Sequence, residues 1–397
     1  MILFSKHIFT PGHELEGYLK VENGKIVSIS AECESEFIDC GDNLIIPGFI
    51  DLHIHGWATG SFWMEKSAAA LYEMKKHLPK QGVTSFLATT AADSIEDILH
   101  SIHEAESVIM NQTSDTECLG IHLEGPFINK EFKGMQDENH CIDPSLPLMK
   151  RFYEAQGNPS SIKLLTIAPE LPNAAEVISF CHEHGIQCSI GHSAATFEVI
   201  KQLKGLGIGG VTHMFSGMKG LHHRELGVVG SALYFEDLMC EFAKQTGQTV
   251  THEAFDLVYR IKGSDKIYLC TDCAGLAKTN KEHYHYIRKQ TFIPQDGKLL
   301  IINEDKSTQL IDSTDYEAVK DMEMGYLESV KNMMAHTVMS IHDMIKMTSY
   351  NPAHYIGLED RKGSIEVGKD ADLLVVNSKL DLITVYCKGE KTYEPVW

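Results

Sequence analysis

The sequence predicts a parallel (β/α)8 barrel, TIM-like, carrying a small β-sandwich formed by its two ends. Three observations indicate this fold class. The central stretch alternates short apolar runs with helical segments, the pattern of βα units around a parallel sheet. Both ends are β-rich and unlike that middle. The polar residues with the most chemistry follow the apolar runs, where a barrel of this type keeps its active site. A chain of 397 residues has room for a barrel of ~250 residues and an accessory module.

The N-terminal part, residues 1–49, reads as short strands. The runs Tyr18-Leu19-Lys20-Val21 and Lys25-Ile26-Val27-Ser28-Ile29 flank Glu22-Asn23-Gly24, and an Asn-Gly pair between β-rich runs signals a hairpin. The C-terminal part, 355–397, behaves alike: Gly363–Asp372 leads into Leu373-Leu374-Val375-Val376 and then Ile383-Thr384-Val385-Tyr386. The two parts together are expected to make the sandwich, leaving 50–354 as the catalytic barrel. Inside it, apolar runs stand at Thr84–Ala88, Leu119–Leu123, Ile162–Ile167, Gln187–Ile190, Gly210–Thr212 and Lys266–Cys270, with helical patterns such as Ala174–His184 and Ala195–Leu203 between. Six or seven of the eight units a barrel needs are countable this way.

Composition narrows the class of partner. A hydrophobic share of 43% is that of a globular protein with a large core. No run of about 18 apolar residues suits a membrane span. The opening MILFSKHIFTPGHELEG lacks the basic and apolar regions of a signal peptide and reads as mature sequence. Ten scattered cysteines suit a reduced cytoplasmic setting better than a disulfide scaffold. A formal charge of −20 argues against nucleic acid or an anionic membrane as partner. An anionic substrate would have to be met by local donors.

The apolar runs end in Ile50-Asp51-Leu52-His53-Ile54-His55, Leu123-Glu124, Ile190-Gly191-His192, Val211-Thr212-His213 and Leu269-Cys270-Thr271-Asp272. A single histidine at a strand end is more often structural, but a succession in chain order, all bound for one barrel mouth, points to a site. His53 and His55 are two apart on an extended strand, so both side chains face the same way and can chelate one divalent ion. Glu124 can bridge two ions or serve one, and His192 and His213 supply imidazole nitrogen suited to zinc or iron. Five ligands exceed what one catalytic ion with an open position takes. Two ions sharing Glu124 is therefore the natural reading, with one ion at Glu124, His192 and His213 as the alternative. Asp272 beside such a centre can move a proton between water and a leaving amine. A further metal contact or a helix cap is its plainer role.

Pro47–Gly56 resembles the opening metal motif of the amidohydrolase superfamily. His122-Leu123-Glu124-Gly125-Pro126-Phe127, Gly191-His192-Ser193, Thr212-His213-Met214-Phe215, Leu221–Gly227 and Thr271-Asp272-Cys273 resemble, in order, elements of the N-acetylglucosamine-6-phosphate deacetylases. Asn351-Pro352-Ala353 and Gly363–Leu373 are similar to the superfamily's tail. The resemblance spans essentially the whole chain. It implies a homodimeric barrel enzyme that hydrolyses the N-acetyl group of an amino sugar 6-phosphate. It makes Asp272 base and then acid, and puts Glu124 where many amidohydrolases use a carboxylated lysine. It also implies that the phosphate meets backbone amides near Ser216 and Gly217 and the side chain of Arg224, whose planar fork suits phosphate. The plainer role for Arg224 is a surface ion pair with Glu225.

The substrate-facing positions depart from the family pattern. Met135-Gln136 replaces Ala-His, and Gln136 can donate to a carbonyl but cannot be a cation. Ser216-Gly217 replaces Asn-Ala, keeping the backbone donors. Thr246-Gly247-Gln248-Thr249 replaces Asp-Gly-x-His, leaving Thr249 where a substrate-binding histidine stands. Lys320-Asp321-Met322 stands in place of Ala-Gly-Ser. The reaction class is thus better marked than the substrate. N-acetylglucosamine 6-phosphate is the first expectation; the galactosamine epimer, an unphosphorylated sugar, a cyclic amide or an N-acyl amino acid are alternatives. A silent sugar-phosphate sensor is disfavoured, because a binder has no need of Asp272.

Overall fold

The computed structural model describes residues 1–244, 248–285 and 288–395. Its centre is a barrel of eight strands: β1 (Phe49–Ile54), β2 (Val83–Thr89), β3 (Glu117–Glu124), β4 (Ile162–Ile167), β5 (Gln187–Ile190), β6 (Ile208–Val211), β7 (Met239–Ala243) and β8 (Ile267–Cys270). The strands neighbour one another in chain order, and each pairing is parallel. Helices such as Ile95–Met110, Ala174–Glu183 and His252–Lys262 connect them. Most of the strands read as largely apolar runs because both faces are covered. Phe86 and Leu87, adjacent in β2, enter different core clusters, as the two-residue period of a strand requires.

No ladder pairs β8 with β1; side chains and loop backbone close that seam. The Tyr326 hydroxyl lies 3.0 Å from the Leu269 carbonyl and 3.4 Å from that of Ile50. At the mouth, Asp272 N–H donates to the His53 carbonyl at 2.8 Å, and His55 N–H to the Cys273 carbonyl at 2.9 Å. The seam therefore fixes the relative placement of three site residues.

The β-rich ends meet as expected. Glu390–Tyr393, Leu382–Cys387, Leu373–Val376, Leu44–Pro47, Ile2–Thr10, His13–Glu22 and Lys25–Ser30 follow one another in a single mixed sheet, with Ile38–Asp39 beside Ile2–Thr10. The Asn23-Gly24 turn has φ of 48° and 76°, the left-handed pair that a tight hairpin demands. A buried ion cluster joins this sheet to the barrel. Lys362, with its side chain 1% exposed, lies 2.5 Å from Asp372, 2.7 Å from Glu117 and 3.0 Å from Asp370.

Two elements depart from the simple alternation. β7 brings the barrel to eight strands, yet it is only Met239-Cys240-Glu241-Phe242-Ala243, with a carboxylate in its middle that breaks the apolar run. After β8, the segments His283–His285, Gln290–Gln295, Lys298–Ile302 and Thr308–Asp312 form an antiparallel sheet of four strands. Its turn, Asp296-Gly297, has φ of 42° and 78° and is a recognisable hairpin signal. Among the described residues no helix is long and apolar enough to cross a membrane.

Candidate metal centre and active site

The strand ends bring His53, His55, Glu124, His192, His213 and Asp272 to one place. Glu124 Oε1 lies 3.0 Å from His192 Nε2, 3.1 Å from His213 Nε2 and 3.4 Å from His53 Nε2. Its Oε2 lies 3.1 Å from His55 Nε2. The Nε2 atoms of His192 and His213 are 3.1 Å apart, and those of His53 and His55 are 3.3 Å apart. Two groups of ligand atoms result, His53–His55–Glu124 and Glu124–His192–His213, sharing the carboxylate. All five residues are buried.

The outer ring nitrogens fix the tautomers. His192 Nδ1 faces the Phe132 carbonyl at 2.8 Å, and His213 Nδ1 faces the Ser216 carbonyl at 3.0 Å. His53 Nδ1 faces Glu241 Oε1 at 2.8 Å. A carbonyl or carboxylate only accepts, so each Nδ1 carries a proton, and a ring that gives up its other proton to a metal turns an Nε2 lone pair inward. Lone pairs converging on a carboxylate repel one another unless a cation lies among them. The charges point the same way. Burial disfavours a charged His53 ring, yet Glu241, Glu124 and Asp272 raise its pKa well above the ordinary histidine value. Burial is overcome at His55 chiefly by hydrogen bonds to Asp272 and Glu124, and at His213 by its hydrogen bond to Glu124 and that carboxylate's charge, so both pKa values are raised. Burial opposes ionisation of Glu124, but His53 and His192 hold it well below the usual carboxylate range. The donor set therefore fits a divalent cation.

The backbone around these ligands is unusual. His192, His213 and Asp272 have φ of 49°, 32° and 50°, a left-handed conformation costing non-glycine residues on the order of 1–3 kcal/mol. Each stands two residues beyond the end of its strand, at Ile190, Val211 or Cys270, where the turn brings its side chain to the barrel mouth. Gly217 (φ +57°) packs so close to His192 that a Cβ would lie 3.1 Å from Nδ1.

Asp272 is the most open of these side chains, about a third exposed, with Oδ1 3.4 Å from His53 Nε2 and 3.5 Å from His55 Nε2. Burial would raise its pKa, but His53 and His55 hold it below the usual range. It is an ionised carboxylate at the mouth, able to accept a proton. Beneath it, Asp51 accepts from Thr271 Oγ1 at 2.7 Å and Thr271 N–H at 3.2 Å. Burial pushes the Asp51 carboxyl up to about 7 despite those bonds.

The residues expected at the substrate are placed variously. Gln136 is buried; its Nε2 donates to Glu124 Oε2 at 2.5 Å, and its Oε1 accepts from Ala92 N–H at 2.7 Å. It thus orients a metal ligand. Met135 is 43% exposed. Ser216 N–H donates to the His213 carbonyl at 2.9 Å, so of the two amides expected to receive phosphate this one is already engaged. The Thr249 hydroxyl donates to the Ala243 carbonyl and lies 3.3 Å from that of Lys244, bracing the end of β7. Thr246 and Gly247 lie outside the described residues. Arg224 is exposed. The Glu225 carboxylate is occupied by Phe197 N–H at 2.9 Å and Gly227 N–H at 3.1 Å, and no ion pair to Arg224 occurs among the described residues.

The strand-end pattern does not reveal Glu241. It accepts from His53 Nδ1 at 2.8 Å, His213 N–H at 2.9 Å and the Tyr268 hydroxyl at 2.9 Å, linking two ligands from below. A glutamate inside the apolar run of β7 is its one sequence signal. His122, though part of a motif, is a core histidine. Its Nε2 meets Thr166 Oγ1 at 2.8 Å, and burial lowers its pKa well below the ordinary value, leaving it neutral.

The amidohydrolase family model matches residues 44–392, almost the entire chain. The chain belongs to the amidohydrolase family. This amidohydrolase is 32% identical over 387 residues to the N-acetylglucosamine-6-phosphate deacetylase of Bacillus subtilis, covering 94% of this chain and 92% of that one. To the Lysinibacillus sphaericus enzyme of the same name it is 31% identical, covering 91% and 89%. Among solved structures, the deacetylase of that name from Thermotoga maritima superposes with a TM-score of 0.80 at 32% identity over 100% of both chains. The Pasteurella multocida one gives 0.82 at 27%, covering 98% of each.

Proposed function

We propose that this amidohydrolase removes the acetyl group of N-acetylglucosamine 6-phosphate, giving glucosamine 6-phosphate and acetate. One observation carries the reading: inward imidazole lone pairs share Glu124 beside an ionised, accessible Asp272, in a chain similar end to end to deacetylases of that name. His53, His55, Glu124, His192 and His213 would hold one or two divalent ions, zinc or iron by donor type. When bound, such an ion supplies Lewis-acid polarisation and lowers the pKa of water toward ~7.

The protein's own residues do the rest. Asp272 takes the proton of the attacking water, held ready as carboxylate by His53 and His55. As the C–N bond breaks, the same carboxyl returns that proton to the departing amine, which leaves the sugar as a free amine and the acyl group as acetate. Glu241 keeps His53 and His213 in register during the cycle. Arg224, with no carboxylate partner among the described residues, is the cation suited to the 6-phosphate. We further propose a homodimer in the cytoplasm, with 50–354 as the catalytic domain and 1–49 plus 355–397 as the accessory one.

A second reading, the galactosamine epimer or an unphosphorylated sugar, is favoured by Gln136 and Thr249. Both are turned to Glu124 and to the end of β7. The test is acetate release by zinc-, iron- or manganese-loaded protein from N-acetylglucosamine 6-phosphate, its epimer and both unphosphorylated sugars. Preference for the first is expected. Release from none would end the deacetylase reading, and an Asp272→Asn variant with full activity would end the role given to that carboxylate.

A further inference from the structure

Asp272 sits on a segment whose backbone N–H groups are all engaged. Thr271 N–H donates to Asp51 Oδ1 at 3.2 Å, Asp272 N–H to the His53 carbonyl at 2.8 Å and Cys273 N–H to Thr271 Oγ1 at 3.3 Å. The next three converge on one side chain. Glu323 Oε1 accepts from Ala274 N–H at 2.8 Å, and its Oε2 accepts from Gly275 N–H at 2.8 Å and Leu276 N–H at 3.0 Å. A carboxylate held by three amides is a strong, charge-assisted clamp.

Glu323 arrives from a distant part of the chain, just before the helix Tyr326–His336, and its side chain is 6% exposed. Its charge is answered by Lys244, which follows β7 and is likewise mostly buried. Lys244 Nζ lies 3.7 Å from Glu323 Oε1 and 3.4 Å from the Asp272 carbonyl oxygen. One cation thus ties the clamping carboxylate to the residue it must hold. Burial opposes the Lys244 charge, but Cys273, then Glu323 and Asp272, raise its pKa.

The clamp has a job because Asp272 is strained. Its φ of 50° is a conformation that a free chain would leave, and it persists only when the surroundings over-determine it. Asp51 and His53 hold the segment from the barrel side, and Glu323 with Lys244 holds it from the outer side. We infer that Glu323, balanced by Lys244, is a positioning residue that keeps the Asp272 carboxylate at the mouth in its proton-transfer placement. The inference rests on the catalytic role proposed for Asp272. Neither Glu323 nor Lys244 bonds a candidate ligand's side chain among the described residues; the segment reaches His53 and His55 only through backbone bonds, so the larger effect falls on proton transfer.

The test compares metal-loaded wild type with Glu323→Ala, Glu323→Gln and Lys244→Met. The readouts are kcat and KM for N-acetylglucosamine 6-phosphate, metal content, and hydrogen exchange of the amides at 274–276. Loss of placement costs on the order of 100-fold, so Glu323→Ala should lose about 100-fold in kcat with KM within about threefold. Glu323→Gln keeps one acceptor oxygen and should lose only about tenfold, with Lys244→Met in between. Metal content should stay at the wild-type level, and exchange at 274–276 should quicken in Glu323→Ala while peptides around His192 and His213 keep their protection. Values of kcat within twofold of wild type in both Glu323 variants would overturn the inference. So would metal loss and loss of protection throughout the barrel, which would make the clamp a general prop. A wild type inactive on every sugar would sink the proposed function instead. The exchange arm then decides the clamp by itself, since unchanged protection at 274–276 in Glu323→Ala refutes it.

Discussion

Replacing Glu241 by glutamine tests whether the metal centre depends on its buried support. The carboxylate accepts three hydrogen bonds, from His53 Nδ1, His213 N–H and the Tyr268 hydroxyl, each 2.8–2.9 Å long. Glutamine keeps the shape but offers one acceptor oxygen. If the amide oxygen takes the Oε1 position, His53 and His213 stay bonded, and the NH2 group confronts Tyr268, whose hydroxyl can turn to accept. The stability cost is then about 1–2 kcal/mol, one weakened buried bond. The larger effect is on the ligand. His53 now donates to a neutral amide, so its Nε2 loses basicity, and losing such an outer partner typically costs 10–100-fold in metal affinity. Glu241→Ala goes further, leaving a buried N–H, a ring N–H and a hydroxyl without an acceptor, about 1–3 kcal/mol each. Competition with a chelator measures the affinity, and thermal melts of metal-free protein measure the stability. Wild-type metal affinity in Glu241→Gln would refute the argument that this carboxylate tunes the site through His53.

Other parts of the fold carry four more expected outcomes. Lys362→Met should destabilise by about 3–5 kcal/mol, the usual cost of breaking a buried ion pair from one side, because Asp372, Glu117 and Asp370 then lose their shared cation; chemical denaturation measures it. In the wild type, burial opposes ionisation of Glu117 but Lys362 and Arg361 outweigh it, and Asp370 is likewise held down by Lys362. These depressed carboxylates add stability that is present above the unfolded carboxylate pKa near 4 and is lost as pH falls through their lower folded values. Melting temperature should thus drop on acidification below about pH 4, and the drop should shrink in Lys362→Met. Gly191→Ala should unseat His192, since a Cβ there would lie 2.5 Å from Thr166 Cγ2 and 2.9 Å from Thr212 Cβ; about 1–3 kcal/mol of stability and much of the bound metal should go, as melts and metal analysis would show. Arg224→Ala should lower kcat/KM for the phosphorylated sugar about 10–100-fold, the worth of a charge-assisted contact, while leaving the unphosphorylated sugar almost unchanged; equal losses on both would remove Arg224 from the phosphate.

What was legible in the sequence, and what was not, divides along a physical line. A parallel strand covered on both faces is an apolar run, so a polar residue at or just past its end stands out. That is why His53, Glu124, His192, His213 and Asp272 could be picked out one by one and prove to lie together. β7 hides because its polar residue is inside the strand: Glu241 breaks the run that would have announced it. Gln136 is hard to read for the opposite reason. Its position predicts a substrate donor, but whether a loop amide turns to the substrate or to Glu124, 12 residues back, depends on how the loop folds over the mouth. The partnership of Lys244 with Glu323 crosses 79 positions of chain and leaves no local trace in either segment.

The same division explains why reaction and substrate are unequally marked. A ligand set works only as a whole: remove one imidazole and the remaining lone pairs and carboxylates no longer balance a divalent ion. His53, His192 and His213 would therefore each be held twice, by the ion they suit and by a fixed outer partner, the Glu241 carboxylate or the carbonyl of Phe132 or Ser216. A substrate contact is held once. Its side chain can turn from a sugar hydroxyl to a protein group, as Thr249 turns to the end of β7 and Gln136 to Glu124, at the cost of one hydrogen bond exchanged for another. On the proposed function, selectivity among amino sugars would then rest on the backbone around Gly217, with Arg224 answering the phosphate. If that reasoning holds, restoring Gln136→His alone should change the ratio of kcat/KM between the two epimers by less than about tenfold, since a single hydrogen bond is worth about 1 kcal/mol. A larger change in that ratio, measured by acetate release from each sugar, would place the choice of epimer at position 136 after all.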